Sequence, residues 1–405
     1  MSSDKNLVKR KMNKFVLSIN AGSSSLKFRL YGMPQEQVLL SGLFDKINTK
    51  QMCFKACYGD DRVCEQLIGK QDFSYATHFL LSFIADHNLI DNVDDIYAVG
   101  HRVAHGGEKF DHSVIVNQEV LQDIDLLCNL APLHNPNNLM CIKIFQQVLP
   151  NATQVAVFDT AFHQTLTEDK FLYPLPYELY QQFGIRKFGF HGISHQYVSL
   201  VVKQEFAEQH DWKVINCHLG NGASICAMLD GRSVDSSMGF TPLAGLMMGT
   251  RCGDIDPALP AYIAQVKECD IEEVVRIMNF ESGLLGVSQL SNDCRTVQEM
   301  ADKGDKQAQL ALKMFINRVI ATIGAYAASL NGVDLITFTG GIGENSDHVR
   351  REICSSLSYL GVHLVGDSSS NNGYISSEQS KVLVKVINTD EELMIARDAY
   401  QLLSS

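Results

Sequence analysis

The sequence has no apolar run near the ~18 residues that a membrane-spanning helix needs. After Lys9, Arg10 and Lys11 only Phe15, Val16 and Leu17 precede a polar residue, short of the ~7 apolar residues of a signal peptide. Secretion is therefore not expected. The eleven cysteines are odd in number and irregularly spaced, and no C-x-x-C occurs. Cys53 and Cys57 (C-F-K-A-C) are a weak metal or redox pattern; the expected state is reduced thiols in the cytoplasm. There is no excess of basic residues: 34 Lys and Arg face 46 Asp and Glu, a net charge of −12. Nucleic acid or an anionic membrane surface needs clustered cations, so neither is an expected partner. A small anionic substrate stays open, because a few arginines in one cleft suffice. Low-complexity tracts and long linkers are also missing; the stretch 368–373 (S-S-S-N-N-G) is too short to divide domains. With 45% apolar and 20% charged residues, the 405-residue chain reads as globular, with two or three domains.

Residues 15–20 read as a buried strand, 21–25 as a small-residue turn, and 26–31 as a return strand with Leu26, Phe28 and Leu30 on one face. The same unit recurs later: strand 214–218, turn 220–224, strand 225–229, and Asp230-Gly231 as a tight hairpin. Two copies of one design predict duplicated α/β domains. Residues 96–103 and 155–159 are short strands, and Asp159 falls at a carboxyl end, where open α/β sheets place ligands. The spacing predicts a long amphipathic helix over 308–330, a strand over 335–339, a helix carrying Val349, Ile353, Leu357 and Leu360, and a strand over 382–387. Thr389 with Glu392 forms a capping-box pattern that opens a last helix.

Several common motifs fail. Gly69-Lys70 is followed by Gln71, so there is no Walker A loop, and neither G-x-G pair has the third glycine of a dinucleotide loop. Gly192-Ile193-Ser194 ends in His195 where a hydrolase elbow needs glycine. The pairs His101/His105 and His191/His195 have the H-x-x-x-H spacing of zinc ligands but lie in glycine-flanked segments without a suitably spaced acid. What remains is three glycine-rich turns, 21–25, 220–223 and 340–343, each after an apolar strand. Backbone N–H groups in such turns can cradle phosphate oxygens.

With residues 16–28 (V-L-S-I-N-A-G-S-S-S-L-K-F) the chain resembles the acetate kinases of the acetate/sugar kinase, actin and heat-shock chaperone superfamily. The likeness continues in 100–109 (G-H-R-V-A-H-G-G-E-K), 131–136 (A-P-L-H-N-P), 157–164 (V-F-D-T-A-F-H-Q), 188–195 (F-G-F-H-G-I-S-H) and 217–224 (C-H-L-G-N-G-A-S). It extends through 238–242, 249–257 (G-T-R-C-G-D-I-D-P), 291–295, 339–345 and 390–397, in family order. It implies two duplicated ribonuclease-H-like α/β domains with an interdomain active-site cleft. The expected boundaries are 14–160 plus 390–405 for the first domain, 161–389 for the second, nucleotide-binding domain, and 1–13 for a loose extension. The implied reaction is Mg²⁺-dependent, reversible, in-line phosphoryl transfer between ATP and acetate, giving acetyl phosphate and ADP, with Mn²⁺ able to replace Mg²⁺. A homodimer is implied as well.

The chemistry suits those residues. Joining a carboxylate to a phosphoryl group needs cations to screen two anions, and a guanidinium fork pairs with either. The resemblance assigns Arg102 to the acyl substrate and Arg251 to substrate and transferring phosphoryl. It assigns His191 to a hydrogen bond with that phosphoryl in the transition state, and Asp159 to orienting an arginine or the metal's waters. Acetate is already ionised, so Asp159 need not act as a base. His134 is implied near the substrate, and Val103, Leu133, Phe190 and Pro242 form the implied methyl pocket. A nucleotide is implied at Lys27, His218, Gly220, Asn221, Gly222, Asp293, Cys294, Arg295, Gly341, Ile342, Gly343 and Asn345, and Mg²⁺ at Asn20 and Glu391. Cys294 departs from the family's usual aromatic residue on the adenine side; Ala104 and Asp390 replace the more usual Val and Asn. A propionate or other short-chain acyl kinase is the nearest alternative. An actin- or chaperone-like nucleotide-dependent binding protein is the alternative of another class, and it would have no use for Arg102, Arg251 and His191.

Overall fold

In the computed structural model, residues 14–59, 62–206, 210–366 and 373–404 are described, so the extension expected over 1–13 lies outside them. The chain forms two compact units, Met1–Ala161 with Asp390–Ser405, and Phe162–Thr389.

The first unit is built on eight strands: β1 (Lys14–Ala21), β2 (Leu26–Met33), β3 (Gln37–Asp45), β4 (Cys53–Tyr58), β5 (Arg62–Leu67), β6 (Ile96–Val103), β7 (Val114–Ile115) and β8 (Thr153–Phe158). Their order is β5-β4-β3-β2-β1-β6-β8-β7. The strands β1 to β5 pair antiparallel as a meander, whereas β6 joins β1, and β8 joins β6, in parallel. Alternation decides which side of each strand is buried. Leu17 and Ile19 of β1 and Leu26, Phe28 and Leu30 of β2 pack with Phe44, Phe54 and the helices Phe73–Asp86 and Asn135–Val148. Fully burying aromatic side chains such as Phe28, Phe44 and Phe54 contributes ~1.5–3 kcal/mol each. The last helix, Glu391–Leu402, packs on β1 and β6. It comes so close that a Cβ on Gly100 would lie 2.6 Å from Ile395 Cγ2, which is why β6 has a glycine there.

The second unit has five strands, β9 (Lys213–Leu219), β10 (Ala223–Leu229), β11 (Arg232–Ser236), β12 (Leu335–Thr339) and β13 (Leu383–Val386), in the order β11-β10-β9-β12-β13. Again three antiparallel strands are followed by two parallel ones. That matches β3-β2-β1-β6-β8 of the first unit, so the duplicated α/β design read from the two hairpins is present in both sheets. Helix Lys306–Ser329 covers one face, burying Leu312, Phe315, Val319 and Ile323. It is long and apolar enough to cross a membrane by length and composition, and among the described residues no other helix is; here it forms the unit's core. On the other face, helix Gly192–Glu205 packs Val198 and Val202 against Val214, Met228 and Leu335.

Two local expectations change. Gly340–Asn345 is a short helix rather than an open turn. The Glu344 carboxylate bends back to accept from Gly340 N–H at 2.9 Å and Thr389 N–H at 3.0 Å, which closes the segment into helix. The cap of the last helix is Asp390 rather than Thr389: its carboxylate accepts from Leu393 N–H at 2.9 Å and pairs with Arg29 at 2.6 Å. Thr389 instead bonds Ser194 through its hydroxyl, 2.8 Å away.

Candidate active site

In the first unit the implied residues gather at the carboxyl ends of the parallel strands. Asn20 is near the end of β1, Arg102 near the end of β6, and Asp159 follows β8, its N–H bonded to Val103 C=O at 2.9 Å. Lys27 faces Asn20 across the β1–β2 hairpin. Arg102 Nη2 donates to Asp159 Oδ2 at 2.8 Å, and the Asp159 side chain is only 2% exposed. Glu391 opens the last helix, where the helix dipole favours a negative charge. Burial nevertheless pushes its carboxyl up to about 7, and Asp159 adds to the rise, while Arg102 and Lys27 pull the other way.

Two buried asparagines hold this end together. Asn138 accepts from Ala104 N–H at 3.1 Å and donates to Ala21 C=O at 2.7 Å; Asn135 accepts from His105 N–H and donates to His105 C=O, each at 3.0 Å. The helix Asn135–Val148 therefore ties the exit of β6 to the end of β1. Sequence reasoning missed both residues, although Asn-Pro-Asn-Asn at a helix start was a visible signal. His134 is the N-cap residue of that helix, half-buried. Leu133 beside it is 51% exposed. Val103, in contrast, is completely buried in a cluster with Phe110, Leu139 and Phe158. Its side chain packs inside that cluster at the end of β6.

In the second unit, a cavity of about 410 Å³ is lined by Gly220, Asn221, Asp293, Cys294, Arg295, Gly341, Ile342 and Asn345, all implied nucleotide residues, together with Asn292, Gln298 and Ser346. The first of these come from the β9–β10 turn, and Asp293 caps the helix Cys294–Asp302. Cys294 is 6% exposed and belongs to the core behind the cavity; burial pushes its thiol up to about 11, so it stays neutral near pH 7. Gly343 is buried against Phe338 and Cys217 C=O. His218, buried on β9, stacks on His191 with ring centroids 4.3 Å apart. His191 holds a left-handed backbone (φ 56°) at the start of helix Gly192–Glu205, a conformation that costs a non-glycine residue of order 1 kcal/mol or more. Its Nδ1 is 2.9 Å from Ser224 Oγ. A Cβ on Gly222 would lie 3.3 Å from His191 Nε2 and 3.5 Å from Arg251 Nη1, so both groups face this glycine. Arg251 Nη1 also donates to Pro242 C=O at 3.2 Å, and Phe190 is buried in the core.

The acetokinase family profile matches residues 15–397. The chain belongs to the acetokinase family. As a member of that family it is a kinase, a phosphotransferase with a carboxyl group as acceptor. It is similar to an acetate kinase of Anoxybacillus flavithermus, 48% identical over 391 residues covering 96% of this chain and 98% of the relative. It is equally similar to a propionate kinase of Yersinia enterocolitica, 48% identical over 392 residues and 95% of each chain. The crystal structure of a propionate kinase from Francisella tularensis superposes with a TM-score of 0.90 at 41% identity, covering 96% of this chain and 99% of that one. Membership in this family removes the binding-protein alternative. Among the described residues no three His, Cys, Asp or Glu side chains are grouped to hold a metal.

Proposed function

We propose that this acetokinase transfers the γ-phosphoryl group of ATP to acetate, reversibly and in line, giving acetyl phosphate and ADP. The observation that carries the reading is Arg102, a guanidinium aligned by the buried Asp159 2.8 Å away, next to Glu391. A fixed guanidinium at the end of β6 suits a small carboxylate, which it can grip through two parallel hydrogen bonds. Asp159 is hydrogen-bonded to Arg102, so its role is to hold that guanidinium in place. The acetate carboxylate attacks as it stands, without a base.

ATP is the proposed occupant of the second unit's cavity, with Asn221, Asp293 and Arg295 at its polar edge. Arg251 and His191 donate hydrogen bonds to the transferring phosphoryl group as charge spreads over its oxygens. One preorganised donor of this kind lowers a barrier by about 2.7–4 kcal/mol.

Mg²⁺ fits the first unit's residues. Glu391 is driven toward protonation by burial and by Asp159, and a divalent cation relieves that repulsion better than a proton. Asn20 and Glu391 would supply one amide and one carboxylate oxygen, and Mg²⁺ usually keeps waters for its other positions. When bound, it would screen phosphate charge, and Mn²⁺ has the same preference for oxygen ligands.

Acetate is preferred over propionate in this proposal, the acyl methyl being met by the apolar residues that the family resemblance implies. One methylene is worth only ~1–3 kcal/mol, so propionate is a weaker substrate rather than an excluded one. Turnover of acetate, propionate and butyrate, trapped as hydroxamates, tests the order; a higher kcat/KM for propionate would reverse it.

A cytoplasmic homodimer completes the proposal. Its supports are the eleven unpaired cysteines and the exposed Tyr262, Val266, Ile271, Val275 and Phe280 on helices Leu259–Lys267 and Ile271–Phe280. Light scattering on the purified protein tests it, and a mass near 45 kDa would count against it.

A further inference from the structure

Beneath His191 runs a chain of buried polar side chains that the reading so far leaves unused. It begins at Thr337 on β12, whose hydroxyl donates to Asn216 Oδ1 at 2.7 Å. The amide nitrogen of Asn216 on β9 is 2.8 Å from His195 Nδ1. His195 Nε2 is 2.8 Å from Ser224 Oγ, and Ser224 Oγ is 2.9 Å from His191 Nδ1. Thr337, Asn216, His195 and Ser224 are all fully buried, so no water competes for these bonds.

The Asn216 amide sets the sense in which the hydrogens of this chain run. An amide nitrogen only donates, so His195 Nδ1 is an acceptor and carries no hydrogen. Burial, together with the neighbouring His163 and His218, holds the His195 pKa well below the ordinary histidine value, so this ring is neutral. Its single hydrogen is then on Nε2 and is donated to Ser224 Oγ. Ser224 has one hydrogen of its own, and His191 Nδ1, 2.9 Å away, is placed to accept it.

We infer that Thr337, Asn216, His195 and Ser224 are positioning residues that fix His191 as the tautomer with a bare Nδ1 and its hydrogen on Nε2. This rests on the reading of His191 as a hydrogen-bond donor to the transferring phosphoryl group. It explains how a neutral imidazole can be kept ready to donate at Nε2, the nitrogen that faces Gly222, as Arg251 Nη1 also does. A histidine whose tautomer is fixed by a neighbour need not reorganise during the reaction. It also accounts for the second histidine of the H-x-x-x-H pair, which is a hydrogen-bond relay and not a zinc ligand.

The full-length protein, labelled with ¹⁵N-histidine, tests the assignment by NMR near pH 7.5. The His191 resonances among the thirteen histidines are assigned by their loss in His191→Gln. The expected spectrum shows His191 Nε2 bonded to hydrogen and Nδ1 bare. In Ser224→Ala the two tautomers should mix, and kcat should fall by roughly tenfold or more, as when a tautomer-fixing partner is lost. The KM values for acetate and ATP should stay within about threefold, since ground-state binding is not the target. Ser224→Thr keeps the hydroxyl and should restore the single tautomer. A wild-type His191 with its hydrogen on Nδ1, or an unchanged tautomer in Ser224→Ala, overturns the inference, and the wild-type spectrum decides even if a variant fails to fold. Normal turnover of His191→Gln would refute the phosphoryl role instead, and the spectrum would still report on the relay.

Discussion

Asp159→Asn gives the sharpest test of the acyl end of the site, because it removes a charge and almost no volume. At 2.8 Å the Arg102–Asp159 attraction is about 6 kcal/mol at an effective dielectric constant of ~20. Desolvation of both ions offsets much of this, and removing one partner of a buried pair costs about 3–5 kcal/mol. Arg102 keeps 20% exposure, so water can solvate the orphaned guanidinium and the lower end applies, about 3 kcal/mol. Nearly all of that energy holds Arg102 in one place. Its loss should lower kcat/KM for acetate by roughly 100-fold, the equivalent of about 2.7 kcal/mol. The nucleotide KM should move by no more than about threefold, since ground-state ATP binding uses other residues. The Mg²⁺ requirement should also persist, because Asp159 is one of the groups that push the Glu391 carboxyl toward protonation. The assay is hydroxamate trapping with acetate, ATP and Mg²⁺ each varied in turn. Unchanged acetate kinetics would refute the positioning role. A rise confined to the Mg²⁺ KM would move Asp159 from the arginine to the metal's water shell.

Gly222→Ala would place a methyl group 3.3 Å from His191 Nε2 and 3.5 Å from Arg251 Nη1, so kcat should fall at least tenfold while thermal unfolding barely shifts; unimpaired turnover would show that neither group works beside Gly222. Cys294→Phe forces a large side chain into a residue 6% exposed in the core, so the protein should lose ~1–3 kcal/mol of stability and the ATP KM should rise as the cavity narrows, measured by denaturant unfolding and kinetics; a lower KM would mean that the ring stacks on the base instead. His101 is buried, with Nε2 2.8 Å from Gln154 Oε1, and its pKa is pushed down to about 4. The unfolded chain takes up this proton below an ordinary pKa of ~6.5, so stability is complete above that pH and falls as the pH drops toward 4, by up to about 3 kcal/mol from this group. Urea unfolding between pH 7 and 4 checks it, and His101→Gln should flatten the slope; an equal slope in that variant would assign the effect elsewhere.

Much of the fold was legible because strands advertise themselves by alternation and turns by glycine. The hairpins around residues 21–25 and 220–222 pointed to a duplicated α/β design, and the apolar run 155–159 put Asp159 at a carboxyl end, whereas the strand order itself is seen only in the two sheets. Short-range competition was harder to read. Thr389 and Asp390 are both good N-caps, and the choice turned on Arg29, 361 positions away in sequence, which pairs with Asp390. Gly340–Gly343 resembled the other glycine turns, but Glu344 reaches back and closes a helix. Val103 matched a family pocket position, and nothing in the sequence showed that Phe110 and Phe158 pack in one cluster with it. The relay from Thr337 to His191 joins residues from three strands and a helix, and nothing in the sequence couples Thr337 to Asn216 or His195 to Ser224.

The central claim is that Arg102 holds the carboxylate that receives the phosphoryl group. The most direct measurement is acyl phosphate formation from Mg²⁺, ATP and acetate by the wild-type protein and by Arg102→Ala, with nucleotide binding measured in parallel. The account predicts acetyl hydroxamate from the wild type, and a variant that binds ATP as well as the wild type does but no longer turns over. No acyl phosphate from any short-chain acid, or undiminished turnover by Arg102→Ala, would contradict it.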